Sequence, residues 1–173
     1  MITSRVATQR LLLMGSVLLS AAALGADSSG PAAAPTPTYA YATNGVIDND
    51  IDRLGDKWKL LVNDSNLGGK ELEIAELTLP AGTTVGSHRH GSVEVIYVLS
   101  GVYGHEVNGK LYLLKPGMVG IVRPGDHVRH LVPKAGPAKL LIIWAPPGEA
   151  AKLFPKGKGT TPEPVAEAQS VDQ

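Results

Sequence analysis

Short apolar segments, separated by turns rich in glycine and proline, cover the middle of this 173-residue chain. Within most of them apolar and polar residues alternate, which is the period of a β-strand with one buried face. Segments that recur about every 10 residues between such turns are typical of an all-β sandwich or barrel. The predicted strands cover residues 58–62, 71–79, 93–99, 103–107, 111–114, 119–122, 127–132 and 140–144.

Two details of this pattern concern the register of the strands. The pair Asn108-Gly109 separates two alternating segments and is the strongest hairpin signal in the sequence. In residues 71–79 the apolar positions lie on one face before Ala75 and on the other face after it. This change of face predicts a β-bulge near Ala75.

A group of polar residues lies in phase within the central segment. His88, His90 and Glu94 are separated by two and then four positions, so on an extended strand their side chains project from one face. Ile96 and Val98 share that face. Two imidazoles and a carboxylate are costly to bury unless a partner satisfies them, and a divalent transition metal accepts this ligand set. The pattern therefore predicts a metal site.

A purely structural interpretation of these residues stays open. A single inward histidine is often a hydrogen-bonded core residue, and Glu94 could simply pair with Arg89 or Arg123. Three such groups in phase, framed by Gly82 and Gly101, favour the metal site.

The spacing of Gly82, His88, His90, Glu94 and Gly101 resembles the first motif of the cupin superfamily, interval by interval. The resemblance implies a double-stranded β-helix, or jelly-roll barrel, with the metal inside. It implies one divalent transition metal ion (Fe, Mn, Ni or Zn) as cofactor, and pairing of outer strands into a homodimer. We find no internal repeat, so one barrel domain over residues 57–147 is expected.

The second motif of the superfamily carries a fourth ligand, a histidine after a Pro-Gly turn. Counted from Gly117, that position falls on Val128, and His127 and His130 flank it. His130 has the parity of Val128, whereas a slip of the strand by one residue would bring in His127. We therefore add His130 to the three predicted ligands, with His127 as the alternative.

The first 26 residues have the pattern of an export signal. Arg5 and Arg10 precede an apolar run over residues 11–24, and small residues follow it. The run is short for a membrane span, and a retained anchor is the alternative interpretation. The sequence has no cysteine, so neither a disulfide nor a lipid attached through cysteine is expected. We expect residues 1–26 to be removed, leaving a periplasmic or secreted protein without a membrane anchor.

The segments on either side of the predicted barrel have a different composition. Residues 27–56 are a Pro- and Ala-rich linker followed by an N-terminal arm. In the arm, Ile47, Ile51 and Leu54 have helical spacing, which predicts a short helical turn on the edge of the barrel or a segment that reaches a second subunit. Residues 148–173 form a tail that we expect to be disordered, apart from one helical turn at residues 150–154.

The charge of the chain argues against one class of partner. The chain has 16 basic and 16 acidic residues, so removing Arg5 and Arg10 leaves 14 against 16, a net charge of −2. No basic stripe interleaved with aromatic residues is present, so we do not expect nucleic acid as a partner.

The predicted site suits several reactions of a small-molecule substrate. Three histidines and a glutamate leave open positions on a six-coordinate transition metal. We expect first a metal-dependent, dioxygenase-like oxidoreductase, second a metal-assisted lyase or isomerase acting on a sugar acid or similar carboxylate, and third a non-catalytic metal or small-ligand binding protein. His105, which shares a face with Tyr103 and Val107, is the candidate acid or base of the pocket.

Overall fold

The structure is a computed structural model that describes residue 39, residues 42–49, residues 55–154 and residue 165. The predicted signal peptide, most of the linker and most of the tail lie outside the described residues. Neither helix in the described part is long and apolar enough to cross a membrane.

The described part contains ten strands and two short helices. Their bounds are β1 Ile47–Asn49, β2 Lys57–Val62, α1 Asp64–Leu67, β3 Glu73–Leu79, β4 Thr84–His88, β5 Val93–Ser100, β6 Tyr103–Val107, β7 Lys110–Leu114, β8 Val119–Val122, β9 Val128–Leu131, β10 Ala138–Ala145 and α2 Ala150–Leu153. The strands form a six-stranded sheet in the order β1-β2-β3-β10-β5-β8 and a four-stranded sheet in the order β4-β9-β6-β7. The predicted all-β jelly-roll architecture is confirmed.

Strand β10 is central to the six-stranded sheet, because it pairs with β3 on one side and with β5 on the other. Its residues alternate between buried and half-buried, so its inward face contributes to the core between the two sheets. Trp144 of β10 stacks on Trp58 of β2, with ring centroids 6.3 Å apart. Phe154 packs edge-on against Trp58 at 6.0 Å, so three aromatic rings pack together within the core.

Two turns of the barrel have backbone conformations that favour glycine or asparagine. Asn108 has a φ of 50° and Gly109 a φ of 80° between β6 and β7, as the hairpin signal predicts. Gly101 has a φ of 78°, and a Cβ there would lie 2.1 Å from the carbonyl oxygen of Pro137. Only glycine fits at this second turn.

The bulge predicted near Ala75 lies at the pairing of Ala75, but its extra residue is Leu61 of β2 and not a residue of β3. Strand β3 keeps a single alternation, with Glu73 and Ala75 both buried, and the register shift lies in β2 instead. The apolar residues change face in the sequence because Glu73, a polar residue, occupies an inward position. Glu73 Oε2 accepts hydrogen bonds from the backbone N–H groups of Gly148 and Ala150, each at 2.9 Å, and so holds the start of α2.

The N-terminal arm contributes a strand where the spacing of apolar residues predicts a helical turn. Ile47–Asn49 pairs antiparallel with β2, and Ile47 packs against the core. Ile51 and Leu54, on which the helical spacing depended, lie outside the described residues. At the other end of the domain, α2 begins at Ala150, where a helical turn is predicted.

Candidate metal centre

The predicted ligands come from both sheets and from one loop. His88 is the last residue of β4, and His130 lies on the neighbouring strand β9. Glu94 is the second residue of β5 in the six-stranded sheet. His90 lies in the loop between β4 and β5, so the strand alternation used to predict its direction does not apply to it. The loop is held instead by Glu149, whose Oε1 accepts from the N–H of Gly91 at 2.8 Å.

The three imidazoles converge. One ring nitrogen from each of His88, His90 and His130 lies within 4.8 Å of the other two. The Nε2 atoms of His88 and His90 are 3.1 Å apart, and Glu94 Oε2 is 3.4 Å from His90 Nε2. Metal–ligand bonds of about 2.0–2.2 Å place neighbouring donor atoms roughly 3 Å apart, so these separations suit ligands of one ion.

Hydrogen bonds on the far side of two rings fix which nitrogen is free. His88 Nδ1 lies 2.8 Å from the carbonyl oxygen of Gly86, which only accepts, so Nδ1 carries the hydrogen. His90 Nδ1 lies 3.1 Å from Glu149 Oε2 and donates in the same way. In the neutral rings both Nε2 lone pairs therefore point towards each other, an arrangement that a shared cation stabilises.

The carboxylate behind His90 is ionised. Burial alone would raise the pKa of Glu149, but hydrogen bonds from Lys152, Gly91 and His90 together lower it to about 2. Carboxylates that accept from a ligating histidine orient the ring and increase its basicity. Glu149 was not predicted from the sequence, because it lies in the segment expected to be a disordered tail.

Glu94 has one satisfied oxygen and one free oxygen. Its Oε1 accepts from the indole N–H of Trp144 at 2.9 Å, whereas Oε2 is buried with no hydrogen-bond partner among the described residues. Burial raises the pKa of Glu94 to about 7, against the lowering effect of the Trp144 hydrogen bond. A buried polar atom without a partner is costly, and an ion beside His90 would satisfy it. The residues present therefore fit a divalent metal.

His130 is suited to remain neutral, as a metal ligand must. It is buried, and burial lowers its pKa well below the usual value, with further lowering by His88, His105 and His90. His130 pairs directly with Val85 of β4, which places it beside His88.

The alternative fourth ligand lies elsewhere. His127 is exposed, and its Nε2 accepts from Arg89 Nε at 3.1 Å. Because the backbone turns before β9, its neighbour Val128 takes the inward position and is fully buried. The structure thus brings His130 into the cluster and leaves His127 at the surface.

The candidate acid or base His105 is buried behind His130. The two residues are partners in the β6–β9 register, and their rings stack with centroids 6.0 Å apart. Burial lowers the pKa of His105, partly offset by a backbone contact with Ile121. A Cβ at Gly120 would lie 2.9 Å from His105 Nε2, so the ring is packed against the neighbouring backbone.

The cluster borders a cavity of about 190 Å³. His88, His90, Glu94 and His130 lie on its wall. The remaining wall is formed by the residues Asp56, Trp58, Leu79, Val85, Trp144 and Leu153, and His105 is not among them. Drug-sized ligands usually occupy about 300–1,000 Å³, so this cavity suits a small molecule.

The fold and this cluster define a class of protein, and sequence comparison agrees with them. Residues 75–144 match the Cupin domain family. This match covers 70 of the 173 residues, so the comparison identifies a cupin domain in the middle of the chain. The matched segment includes all four candidate ligands, whereas Asp56 and Glu149 lie outside it.

Solved structures of cupins resemble this chain. An RmlC-like cupin from Shewanella frigidimarina has a TM-score of 0.54 and 22% identity, covering 66% of this chain and 96% of its own. A predicted oxalate decarboxylase from Thermotoga maritima has a TM-score of 0.53 and 21% identity, covering 61% and 97%. KdgF from Halomonas sp. has a TM-score of 0.52 and 15% identity, covering 60% and 90%.

These similarities establish the fold and leave the activity to the site itself. No curated protein matches the sequence significantly.

Proposed function

We propose that this chain is a metal-dependent cupin enzyme that acts on a small organic substrate. The observation that carries the proposal is the free, buried Oε2 of Glu94 beside the converging imidazoles of His88, His90 and His130, on the wall of a small cavity. A structural role alone would leave this carboxylate oxygen unsatisfied.

The four candidate ligands would bind the ion, and hydrogen bonds with neighbouring residues would orient two of them. Trp144 fixes one oxygen of Glu94, and Glu149 fixes the ring of His90. A bound divalent ion would supply open coordination positions for substrate oxygens, together with Lewis acidity or, for a redox-active metal, oxidation chemistry. Most of the cavity wall around the cluster is apolar, and polar contacts are stronger in such surroundings than in water.

The first activity that we propose is dioxygenase-like oxidation. Four protein ligands leave room on a six-coordinate Fe, Mn or Ni ion for two further groups, so substrate and dioxygen would both have places to bind.

The second is a metal-assisted lyase or isomerase reaction of a sugar acid or similar carboxylate. It is favoured by the carboxyl group of Asp56 on the cavity wall, because such reactions need a proton-transferring group that is not a metal ligand.

The experiment starts from untagged protein whose native metal is measured by elemental analysis. Oxygen uptake is then followed with catechol, a flavonol, a diketone and a thiol, and product formation from sugar acids is followed by NMR. The predicted result is about one transition metal ion per chain and turnover in one of the two screens, lost in His90→Ala. Metal-free protein as isolated, which also fails to bind added Fe, Mn, Ni or Zn, would contradict the proposal. Tight ligand binding without turnover would identify a binding protein instead.

Export and self-association are separate proposals. The basic and apolar pattern of residues 1–26 supports export, and amino-terminal sequencing of the mature protein tests it, because an intact Met1 on cytoplasmic protein would contradict it.

A homodimer is supported by the exposed apolar residues Tyr97, Leu99, Val119 and Ile121 on the outer face of β5 and β8. Light scattering of the purified protein at several concentrations tests this second proposal, and a monomer throughout would contradict it.

A further inference from the structure

The carboxyl group of Asp56 is a polar group in the cavity that the candidate metal centre leaves unused. Asp56 immediately precedes β2 and is only 3% exposed. Its Oδ2 accepts from the indole N–H of Trp58 at 3.0 Å. Its Oδ1 is buried without a hydrogen-bond partner among the described residues, and Asp56 lies on the wall of the 190 Å³ cavity.

Asp56 and Glu94 are held in the same way. The rings of Trp58 and Trp144 stack at 6.3 Å with an angle of 23° between their planes. Each indole N–H donates to one oxygen of a carboxyl group, Trp58 to Asp56 and Trp144 to Glu94. In each carboxyl group the second oxygen has no hydrogen-bond partner within the part of the chain that the structure describes. The free oxygen of Glu94 faces His90, whereas no hydrogen bond or ion pair in the described part links Asp56 to the three histidines.

The charges in the cavity indicate what the free oxygen of Asp56 meets. At the metal centre itself, three neutral imidazoles, the carboxylate of Glu94 and a divalent ion sum to +1, which favours an anionic group such as a carboxylate at the ion, whereas the carboxylate of Asp56 adds a negative charge on the cavity wall. The carboxylate of such a substrate would be repelled by Asp56, so a hydrogen-bond donor on the same molecule is the complementary group.

We propose that Asp56 is a catalytic residue whose Oδ1 accepts a hydrogen bond, and during turnover the proton, from the hydroxyl group of a small 2-hydroxy acid. In this step the substrate O–H bond breaks, its electron pair stays on the substrate oxygen, and the proton forms an O–H bond to Oδ1. Asp56 becomes a neutral carboxylic acid, and it later returns the proton to the product or to water. The inference rests on the proposed function, because it needs the metal centre to hold the other end of the substrate.

Ligand binding to the cobalt(II)-loaded protein tests this inference without relying on turnover. Visible absorption of the cobalt reports binding of two probes, lactate and its O-methyl ether 2-methoxypropanoate. In Asp56→Asn an amide replaces the carboxyl group, so a similar volume and an acceptor for Trp58 remain, but no carboxylate oxygen meets the ligand. Hydrogen bonds to charged groups contribute about 1.5–3 kcal/mol, so we expect Asp56→Asn to weaken lactate binding by about tenfold or more.

The ether and a second variant make the result specific. Binding of 2-methoxypropanoate should change by less than about twofold in Asp56→Asn, because the ether has no hydrogen to donate. Trp58→Phe keeps Asp56 but removes the N–H that orients it, and it should lose part of the preference for lactate. Glu76→Gln, which removes a carboxylate paired with Lys139 away from the cavity, should bind both probes like the wild type.

The outcomes separate the two proposals. If cobalt loads normally, three results would overturn the role of Asp56 while supporting the metal centre. In Asp56→Asn, the affinity could fall equally for both probes or for neither. In the wild type, lactate could bind no more tightly than its ether. Failure of the wild type to bind cobalt would overturn the proposed function and this inference with it. If Asp56→Asn does not fold, unchanged lactate preference in Trp58→Phe would overturn the inference.

Discussion

Two buried histidines lie side by side between the sheets, and only one of them belongs to the candidate site. His105 and His130 are register partners on β6 and β9, and burial is the main cause of a lowered pKa in both. His130 borders the cavity and converges with His88 and His90, whereas His105 does neither. Burial and a shifted pKa therefore do not by themselves identify a functional histidine.

The surroundings of the two residues explain the difference. Tyr103 stacks on both rings, with centroids 6.3 Å from His105 and 5.4 Å from His130, but only the His105 ring is packed against the backbone of Gly120, where a Cβ would lie 2.9 Å from its Nε2. His130 instead lies among groups whose free donor atoms point to a common space. What distinguishes the site is the cavity that His130 shares with Glu94, one oxygen of which has no hydrogen-bond partner among the described residues.

The largest expected effect is loss of the metal. Replacing His90 or Glu94 with alanine removes one of only four protein donor atoms, and we expect each variant to retain less than about a tenth of the wild-type metal. His127→Ala, a change at the exposed histidine, is the matched control and should keep full occupancy. Elemental analysis measures all three. Equal losses from His127→Ala and His90→Ala would show that the cluster is wrongly assigned.

The second effect is a pH dependence of the metal-free protein that comes from Glu94. Its pKa is raised from 4.5 in the unfolded chain to about 7 in the folded state. The contribution of Glu94 to the free energy of unfolding is therefore fully present below pH 4.5, and it is lost as the pH rises through about 7. We expect the unfolding free energy of the wild type, relative to Glu94→Gln, to fall by on the order of 3 kcal/mol over this range. Denaturant titrations at several pH values measure this difference. A difference that is constant with pH would contradict the buried, raised carboxyl group.

The third effect concerns the hydrogen bond behind His90. Glu149→Gln keeps the shape of the side chain but removes the charge that orients the ring, and such partners are worth about 10–100-fold in metal affinity. We expect a loss of this size in a competition titration with a chelator. Glu106→Gln, which removes a carboxylate from a partly exposed ion pair with Arg129, should leave the affinity unchanged. An unaltered affinity in Glu149→Gln would mean that the loop positions His90 without this carboxylate.

The smallest effect is expected at His105. His105→Leu replaces a buried ring, whose nitrogens have no close hydrogen-bond partner among the described residues, by an apolar side chain, and we expect the unfolding free energy to change by less than about 1 kcal/mol. Metal affinity should change by less than about twofold, because the ring lies behind His130. Thermal unfolding and a chelator titration check both values. Loss of the metal in this variant would place His105 in the site after all.

The sequence predicts the barrel and part of the cluster for a clear physical reason. Alternation and turn residues are local properties, so strands such as β6, with its Asn108-Gly109 hairpin, can be read directly. His130 lies two residues after Val128 and so shares its strand face, which favours His130 over His127 as a ligand. The structure places His130 beside His88. His90 reaches the cluster from a loop, so its position depends on Glu149 and not on strand alternation.

The residues missed by the sequence depend on contacts between distant segments. Asp56 and Glu149 lie in segments without strand periodicity. Their roles depend on tertiary contacts, because Asp56 lies on the cavity wall and Glu149 forms a hydrogen bond with His90, which is 59 residues away in the sequence. The change of face in residues 71–79 was assigned to a bulge for the same reason, because the inward position of Glu73 is explained by Gly148 and Ala150, more than 70 residues away. Side chains that position a site across the fold leave no local pattern.

The most direct test is a crystal structure of the natively loaded protein, with diffraction recorded on both sides of the absorption edge of its metal. The proposed site predicts one anomalous peak about 2.0–2.2 Å from His88 Nε2, His90 Nε2, a ring nitrogen of His130 and Glu94 Oε2. A peak coordinated by His127, or no peak near these residues in protein that contains the metal, would contradict it.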